Sequence, residues 1–464
     1  MWDTAILNGT LVTASDVYHG NIYIKDGRIG AVTSAPLAEE SAETIDAQGL
    51  DVFPGFIDTH THCRDGGAPQ KDTFHHATRG AAIGGLTMMI EMPNAIPPVS
   101  TVENMRAQIE NLTSKAHVDF AMWGLCVGEL NNEHIMALHE AGVVAFKFFW
   151  GYAVKKGTYS LIYNYDPSDP DIVPPLDDGQ VYLMFEAVAK TGKMLGIHAE
   201  NASLIHRLTS RVDVSRYPNE YEALLACRPN VAEESVVQTA ISFARAAGMR
   251  LHILHASARE SVDLVEAAQK RGEAVSMETC PHYLFLTNKD FDRVGTMIKG
   301  YPPVRLQEDQ DRLWEGLRDG VICNVCSDHA PHTAEEKNDS LFKIPSGMCG
   351  VETLAPLMIE AVNDGRITKR QLAAFMSENP AKLYGLYPRK GALQVGADAD
   401  LTLVDFAKTI AIRKENLQSV SKVTAFDGFT IKGAPVRTMV RGRTVMKDGE
   451  IVSGPCGTFI RPVV

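Results

Sequence analysis

Six side chains able to bind metal or move protons each stand at the end of an apolar run. They are His60 and His62 in GFIDTHTH, Lys147 in FKFF, His198 in IHAEN, His255 in LHILHAS and Asp328 in CSDHAPH. In an extended strand alternate side chains point the same way, so His60 and His62 can converge on one metal ion. With His198, His255 and Asp328 the set holds donors for two divalent ions, provided Lys147 becomes anionic. An ammonium repels a cation. A lysine whose pKa is lowered by burial can instead react with carbon dioxide and present a carbamate, one oxygen to each ion. His252 is one imidazole more than this set needs, so it is expected to orient a ligand or pack in the core.

Such a site needs strands that end together. Eight short apolar runs, at 51–58, 86–91, 118–125, 143–149, 194–199, 249–256, 274–279 and 321–328, alternate with helix-like segments such as VENMRAQIENLTSKA and SVDLVEAAQKRGE. This is the rhythm of a (β/α)8 barrel, whose active site lies at the C-terminal ends of the strands. Segment 151–180, rich in Pro, Asp and Tyr, reads as a long loop over the barrel mouth. The first 50 and last 70 residues have a different character, with β-type alternation and Asn-Gly or Asp-Gly turn signals. The expected division is therefore a β-sandwich from residues 1–52 and 390–464, and a barrel from 53–389.

Composition bounds the partners. Hydrophobic residues make up 45% of the 464 and the formal net charge is −12, which argues against disorder and against nucleic-acid binding. No 18-residue apolar run and no signal-like N-terminus is present. Eight scattered cysteines read as reduced thiols of a cytoplasmic protein. The CxxC of Cys323 and Cys326, inside an apolar run with no second CxxC nearby, reads as strand packing.

As a set, GFIDTHTH, FKFF, IHAEN, LHILHAS, CSDHAPH and the tail GALQVGADADLTLVDF resemble the amidohydrolase superfamily. The likeness is to its cyclic amidase branch of dihydroorotases, allantoinases, hydantoinases and dihydropyrimidinases, and it runs over nearly the whole chain. The resemblance implies one metal on His60, His62 and Asp328 and a second on His198 and His255, with carboxylated Lys147 bridging them. Zinc is the expected ion; manganese or another divalent ion also suits oxygen-rich bridging. It further implies that Asp328 takes a proton from the attacking water and returns it to the leaving nitrogen. Tyr152 resembles the tyrosine that stabilises the oxyanion, and the family's habit implies a homodimer or homotetramer.

Arg64, Asn94 and His332 match positions that dihydroorotases use to hold a substrate carboxylate, a task suited to the planar guanidinium. Other features point elsewhere. Tyr301 stands where dihydroorotases show asparagine, ETCPHYLFLT looks allantoinase-like, and AFDGFTIKGAPVRTMVRG is similar to L-hydantoinases. The reaction expected is opening of a ring C–N bond in a small cyclic amide. A dihydroorotate-like carboxylated ring is favoured over the uncharged ureides or imides of allantoinases, hydantoinases and dihydropyrimidinases. The other classes open are a non-catalytic scaffold on the same fold, like the dihydropyrimidinase-related proteins, and a mononuclear deaminase, which has no use for a bridging lysine.

Overall fold

A computed structural model describes residues 1–162 and 168–463. Its centre is an eight-stranded, all-parallel sheet whose strands neighbour one another in chain order. The strands are β1 (Phe56–Thr61), β2 (Leu86–Glu91), β3 (Asp119–Leu125), β4 (Ala145–Trp150), β5 (Met194–Ala199), β6 (Arg250–Ile253), β7 (Val275–Thr279) and β8 (Asn324–Val325). Nearly all their residues are buried, as expected of parallel strands covered by helices on the outside. Between β1 and β8 there is no ladder. The seam is closed by the bridge Thr61–His329, by His62 N–H donating to His329 O at 2.7 Å, and by Ser327 N–H donating to Asp58 at 3.0 Å.

The covering helices start where the sequence supplies caps. Thr73 and Thr101 accept hydrogen bonds from the first turns of Phe74–Ile83 and Val102–Thr113, and Asp177 with Gln180 forms a capping box for Asp178–Ala189. The eight strands fall within or beside the predicted runs, with one exception. The run 51–58 is split at Gly55, with Asp51–Pro54 in the terminal sheet and Phe56 opening the barrel. A Cβ at Gly55 would lie 2.1 Å from Thr87 Oγ1, so only glycine lets the chain change sheets there.

Both termini meet in one nine-stranded sheet. Trp2–Val12, Val17–Lys25, Arg28–Thr33, Ser41–Asp46 and Asp51–Pro54 come from the N-terminal side, and Leu401–Ala411, Thr430–Val440, Arg443–Lys447 and Glu450–Ile451 from the C-terminal side. The sheet encloses its own core, which includes Ile6, Leu11, Ile22, Val52, Leu401 and Met439. Asp26-Gly27 and Asp448-Gly449, both at positive φ, make tight hairpins as expected. Asn8-Gly9 does not turn the chain. It makes a bulge within Trp2–Val12, after which that strand exchanges Ser41–Asp46 for Asp51–Pro54 as its parallel neighbour.

The segment after β4 corrects the expectation of a long loop. Ala153–Lys155 pairs antiparallel with Leu161–Ile162 and Ile172–Val173, and the helix Asp178–Ala189 already begins before residue 180. Strands of two or three residues are too short to show an alternating pattern. The remainder of that expectation falls on residues 163–167, outside the described residues. No helix among the described residues is long and apolar enough to cross a membrane.

Candidate metal centre

The C-terminal ends of β1, β4, β5, β6 and β8 bring the six predicted side chains to one mouth. The chain leaves the allowed β region there to aim them. His255 has φ 37° and Asp328 φ 46°, while Arg64 beside them has φ 59°, left-handed values costly for residues with a Cβ.

His60, His62 and Asp328 form one half. Their donor atoms lie within 4.8 Å of one another, with Asp328 Oδ1 3.3 Å from His60 Nε2 and 3.7 Å from His62 Nε2. Each ring is held by its other nitrogen, His60 Nδ1 at 2.8 Å from Glu278 and His62 Nδ1 at 2.7 Å from Asn94 Oδ1. That leaves both Nε2 atoms facing Asp328. Buried His60 Nε2 has no hydrogen-bond partner among the described residues, which fits a metal ligand.

His198 and His255 form the other half. His198 Nε2 lies 2.9 Å from Glu200 Oε2, and Glu200 is paired with Arg228, so the ring turns Nδ1 toward His255 Nε2 at 3.2 Å. Two ring nitrogens at that distance can share one proton, and the same spacing suits two ligands of one metal ion. Burial opposes ionisation of Glu200, yet Arg228 and His198 hold it down at about 2.

Lys147 lies between the halves, fully buried, with Nζ 4.5 Å from the centre of the Phe149 ring and no hydrogen-bond partner among the described residues. Burial pushes its pKa down to about 8, against the pull of Asp328 and Glu278. Burial also raises Asp328 to about 7, with Lys147 opposing. Both shifts favour the uncharged forms, and a neutral amine is what carboxylation requires.

The remaining predicted residues surround this centre. Gly151, at φ 87°, packs so closely that a Cβ would stand 2.7 Å from Glu200 O. The turn there lays Tyr152 over the site, its hydroxyl 3.2 Å from His198 Nε2. Arg64 and His332 come together, with Nη2 3.5 Å from Nε2, and Lys71 reaches His332 Nδ1 at 3.2 Å. Burial and these two cations push His332 down to about 3. Asn94 holds His62. His252 packs beneath the candidate ligands, Nδ1 2.8 Å from Ser276 and Nε2 3.4 Å from Glu278. Cys323 and Cys326 are free thiols, and Cys326 Sγ lies 3.5 Å from Cys280 Sγ.

Glu278 and Glu200 are the residues that motif reading missed. Glu200 stands beside a candidate ligand in IHAEN and Glu278 is the next-to-last residue of the seventh apolar run, but only the fold shows that each carboxylate reaches a histidine. Beside Tyr152 a small apolar pocket is lined by Leu125, Phe149, Val154, Leu161 and Val173 among others.

A parallel barrel with imidazoles, a carboxylate and a buried amine gathered at its C-terminal mouth has the form of a metal-dependent hydrolase. Comparison with known proteins makes this more particular. Residues 52–445 match the model of the Amidohydrolase family. The chain is 35% identical over 457 residues to the L-hydantoinase of Paenarthrobacter aurescens, covering 97% of this chain and 96% of that protein. It is 36% identical over 461 residues to the allantoinase of Rubrobacter xylanophilus, covering 98% and 97%. The solved L-hydantoinase (dihydropyrimidinase) from Arthrobacter aurescens superposes with a TM-score of 0.93 at 34% identity, covering 99% of this chain and 100% of that one. The chain belongs to the amidohydrolase family, and these relatives place it in the cyclic amidase branch.

Proposed function

We propose that this protein is a dinuclear metal-dependent hydrolase that opens a ring C–N bond in a cyclic ureide or imide, in the manner of hydantoinases and allantoinases. The observation that carries the reading is the convergence of His60, His62, His198, His255 and Asp328 around Lys147, a buried lysine with no hydrogen-bond partner among the described residues. His60, His62 and Asp328 would hold one ion and His198 and His255 the other, with the Lys147 carbamate between them; zinc is the default. When bound, the ions supply Lewis-acid polarisation of a ring carbonyl and lower the pKa of a water to about 7. A donor set this complete speaks against a non-catalytic scaffold, and the central lysine against a single-metal deaminase.

The chain's own groups do the rest. Asp328, at the rim of the mouth, accepts the proton of the attacking water and delivers it to the departing ring nitrogen. The Tyr152 hydroxyl, fixed by the turn at Gly151, donates to the oxygen on which negative charge develops. The apolar pocket beside Tyr152 suits an apolar ring substituent, such as that of a 5-substituted hydantoin. This supports a hydantoinase reading over the dihydroorotase reading that the sequence favoured, and the relatives named above, an L-hydantoinase and an allantoinase, also point away from dihydroorotate.

One observation keeps a carboxylated ring as the second reading. Arg64, Lys71 and His332 gather at the mouth, Glu336 pairing with Lys71 at 2.8 Å and with His332 at 3.3 Å, and Arg64 Nε is buried without a hydrogen bond among the described residues. Assays of the metal-loaded enzyme on 5-substituted hydantoins, allantoin, dihydrouracil and dihydroorotate test the proposal. Turnover of the uncharged rings at least tenfold above that of dihydroorotate is expected. The reverse order would install the second reading, and inertness toward all of them would refute both.

A further inference from the structure

Glu278, at the end of β7, is fully buried and is the meeting point of three strands. Its Oε2 lies 2.8 Å from Thr59 Oγ1 and 3.1 Å from Asn324 Nδ2, and its Oε1 lies 2.8 Å from His60 Nδ1. The direction of these bonds can be worked out. Asn324 Nδ2 also donates to Thr59 Oγ1 at 2.9 Å, so the single hydroxyl proton of Thr59 goes to Glu278. Both donors are then spent on Oε2. Oε1 is left to His60, and a carboxylate can only accept. The proton shared by that pair therefore sits on His60 Nδ1, and the lone pair sits on Nε2, the atom that faces Asp328.

No lysine or arginine among the described residues forms an ion pair with Glu278; the only ring nitrogens among them that pair with it within 4 Å are those of His60 and His252. Glu200, its counterpart behind His198, has Arg228. A buried carboxylate without a fixed cation is costly unless a positive charge reaches it another way. The His60 ring provides that route, because a cation on Nε2 strengthens the Nδ1–H donor.

We propose that Glu278 is the positioning residue of the His60 half of the centre. It fixes the tautomer and orientation of His60 so that Nε2 is aimed at an ion, and that ion in turn compensates the buried carboxylate. This inference rests on the proposed dinuclear centre. Glu278 touches neither substrate nor reacting atoms and acts only through His60. An alternative role, closing the barrel floor where β1 and β8 form no ladder, would affect stability but not metal affinity.

The test is a metal titration of the full chain after chelator treatment, with zinc as the probe, alongside Glu278→Gln. The amide keeps the shape, but its NH2 must face either the Thr59 and Asn324 donors or the Nδ1–H of His60. The wild type should bind two ions per chain. E278Q should bind one of them about 10–100-fold more weakly, with an unchanged circular-dichroism spectrum. Thr59→Val, which leaves the His60 bond intact, should stay within about threefold of wild type. Wild-type affinities in E278Q, or a lower melting temperature with both affinities retained, would overturn the inference while leaving the centre standing. A wild type that binds no ion would instead refute the proposed function itself. If E278Q does not fold, neutron diffraction of wild-type crystals decides. Deuterium on His60 Nδ1 and none on Glu278 supports the assignment, and deuterium on Glu278 or on His60 Nε2 overturns it.

Discussion

Lys147 and Lys390 are both buried lysines, and the protein uses them in opposite ways. Lys390 lies in the junction between the barrel and the terminal sheet, with Nζ 2.6 Å from Asp119, 3.0 Å from Asp398 and 2.5 Å from Asp400. Burial works against its charge, but the three carboxylates outweigh burial and raise its pKa. Arg441 shares Asp119 and Arg389 shares Asp398, so the cluster is internally balanced. Its aspartates could be taken for a metal site, yet the ammonium already occupies the place of the ion. Lys147 has no such carboxylate at hydrogen-bonding distance, and burial brings its pKa down to about 8. Burial alone therefore does not make a lysine reactive. On the proposed reading, it is the lack of any partner at Nζ that leaves the Lys147 amine open to carbon dioxide.

The largest expected effect falls on the reactive lysine. Lys147→Ala should reduce turnover by at least about 10²–10³-fold, the scale of losing one group that stabilises the transition state, and should lower the metal content from two ions per chain. Short carboxylic acids should restore part of the activity; failure of rescue in an otherwise folded variant would count against a carbamate. Lys390→Met should do the reverse, costing about 3–5 kcal/mol of stability by leaving buried Asp400 without its cation. Turnover per folded molecule should stay unchanged, as melting curves and assays on the soluble fraction would show.

The pH dependence of reassembly separates the two lysines further. Lys147 titrates in the fold near 8, against an ordinary lysine value near 10.5. The neutral amine therefore predominates above 8, and its fraction falls about tenfold for each pH unit below that. Reconstitution of metal-free protein with bicarbonate and metal should slow accordingly between pH 8 and 6. A flat rate would mean that amine protonation does not limit carboxylation. In the same metal-free state, this depressed pKa penalises folding progressively as pH falls from about 10.5 to 8, and the penalty is constant below that.

The smallest effect is expected at a third kind of buried lysine. Lys337 donates to the carbonyl oxygens of Lys299, Pro345 and Gly347 at 3.0–3.2 Å, and burial pushes its pKa down to about 7. Lys337→Met should cost about 1–3 kcal/mol, the price of buried carbonyls left unpaired, read as a lowered melting temperature. Such a result would place a lysine held by neutral dipoles between the two extremes.

What the sequence disclosed and what it hid follow from how local each signal is. His60 and His62 were legible because strand alternation is a property of neighbours, and the strand-end histidines because a parallel barrel gathers such ends at one mouth. The Glu278 network was not, since Thr59 and Asn324 stand 265 residues apart and meet only when the barrel closes. Asn94 was noticed, but the fold gives it His62 to hold. Segment 151–180 was misread because strands as short as Leu161–Ile162 leave no period to detect. The run 51–58 was read as one strand because nothing local shows that Gly55 must pass against Thr87.

The proposed centre places a carbamate of Lys147 between two metal ions. Carbon-13 NMR of metal-free protein reconstituted with zinc and 13C-bicarbonate, with metal analysis of the same sample, tests it most directly. One carbamate signal and two ions per chain are expected, with the signal lost in Lys147→Ala. Two bound ions with no carbamate signal, or a signal that persists without Lys147, would contradict it.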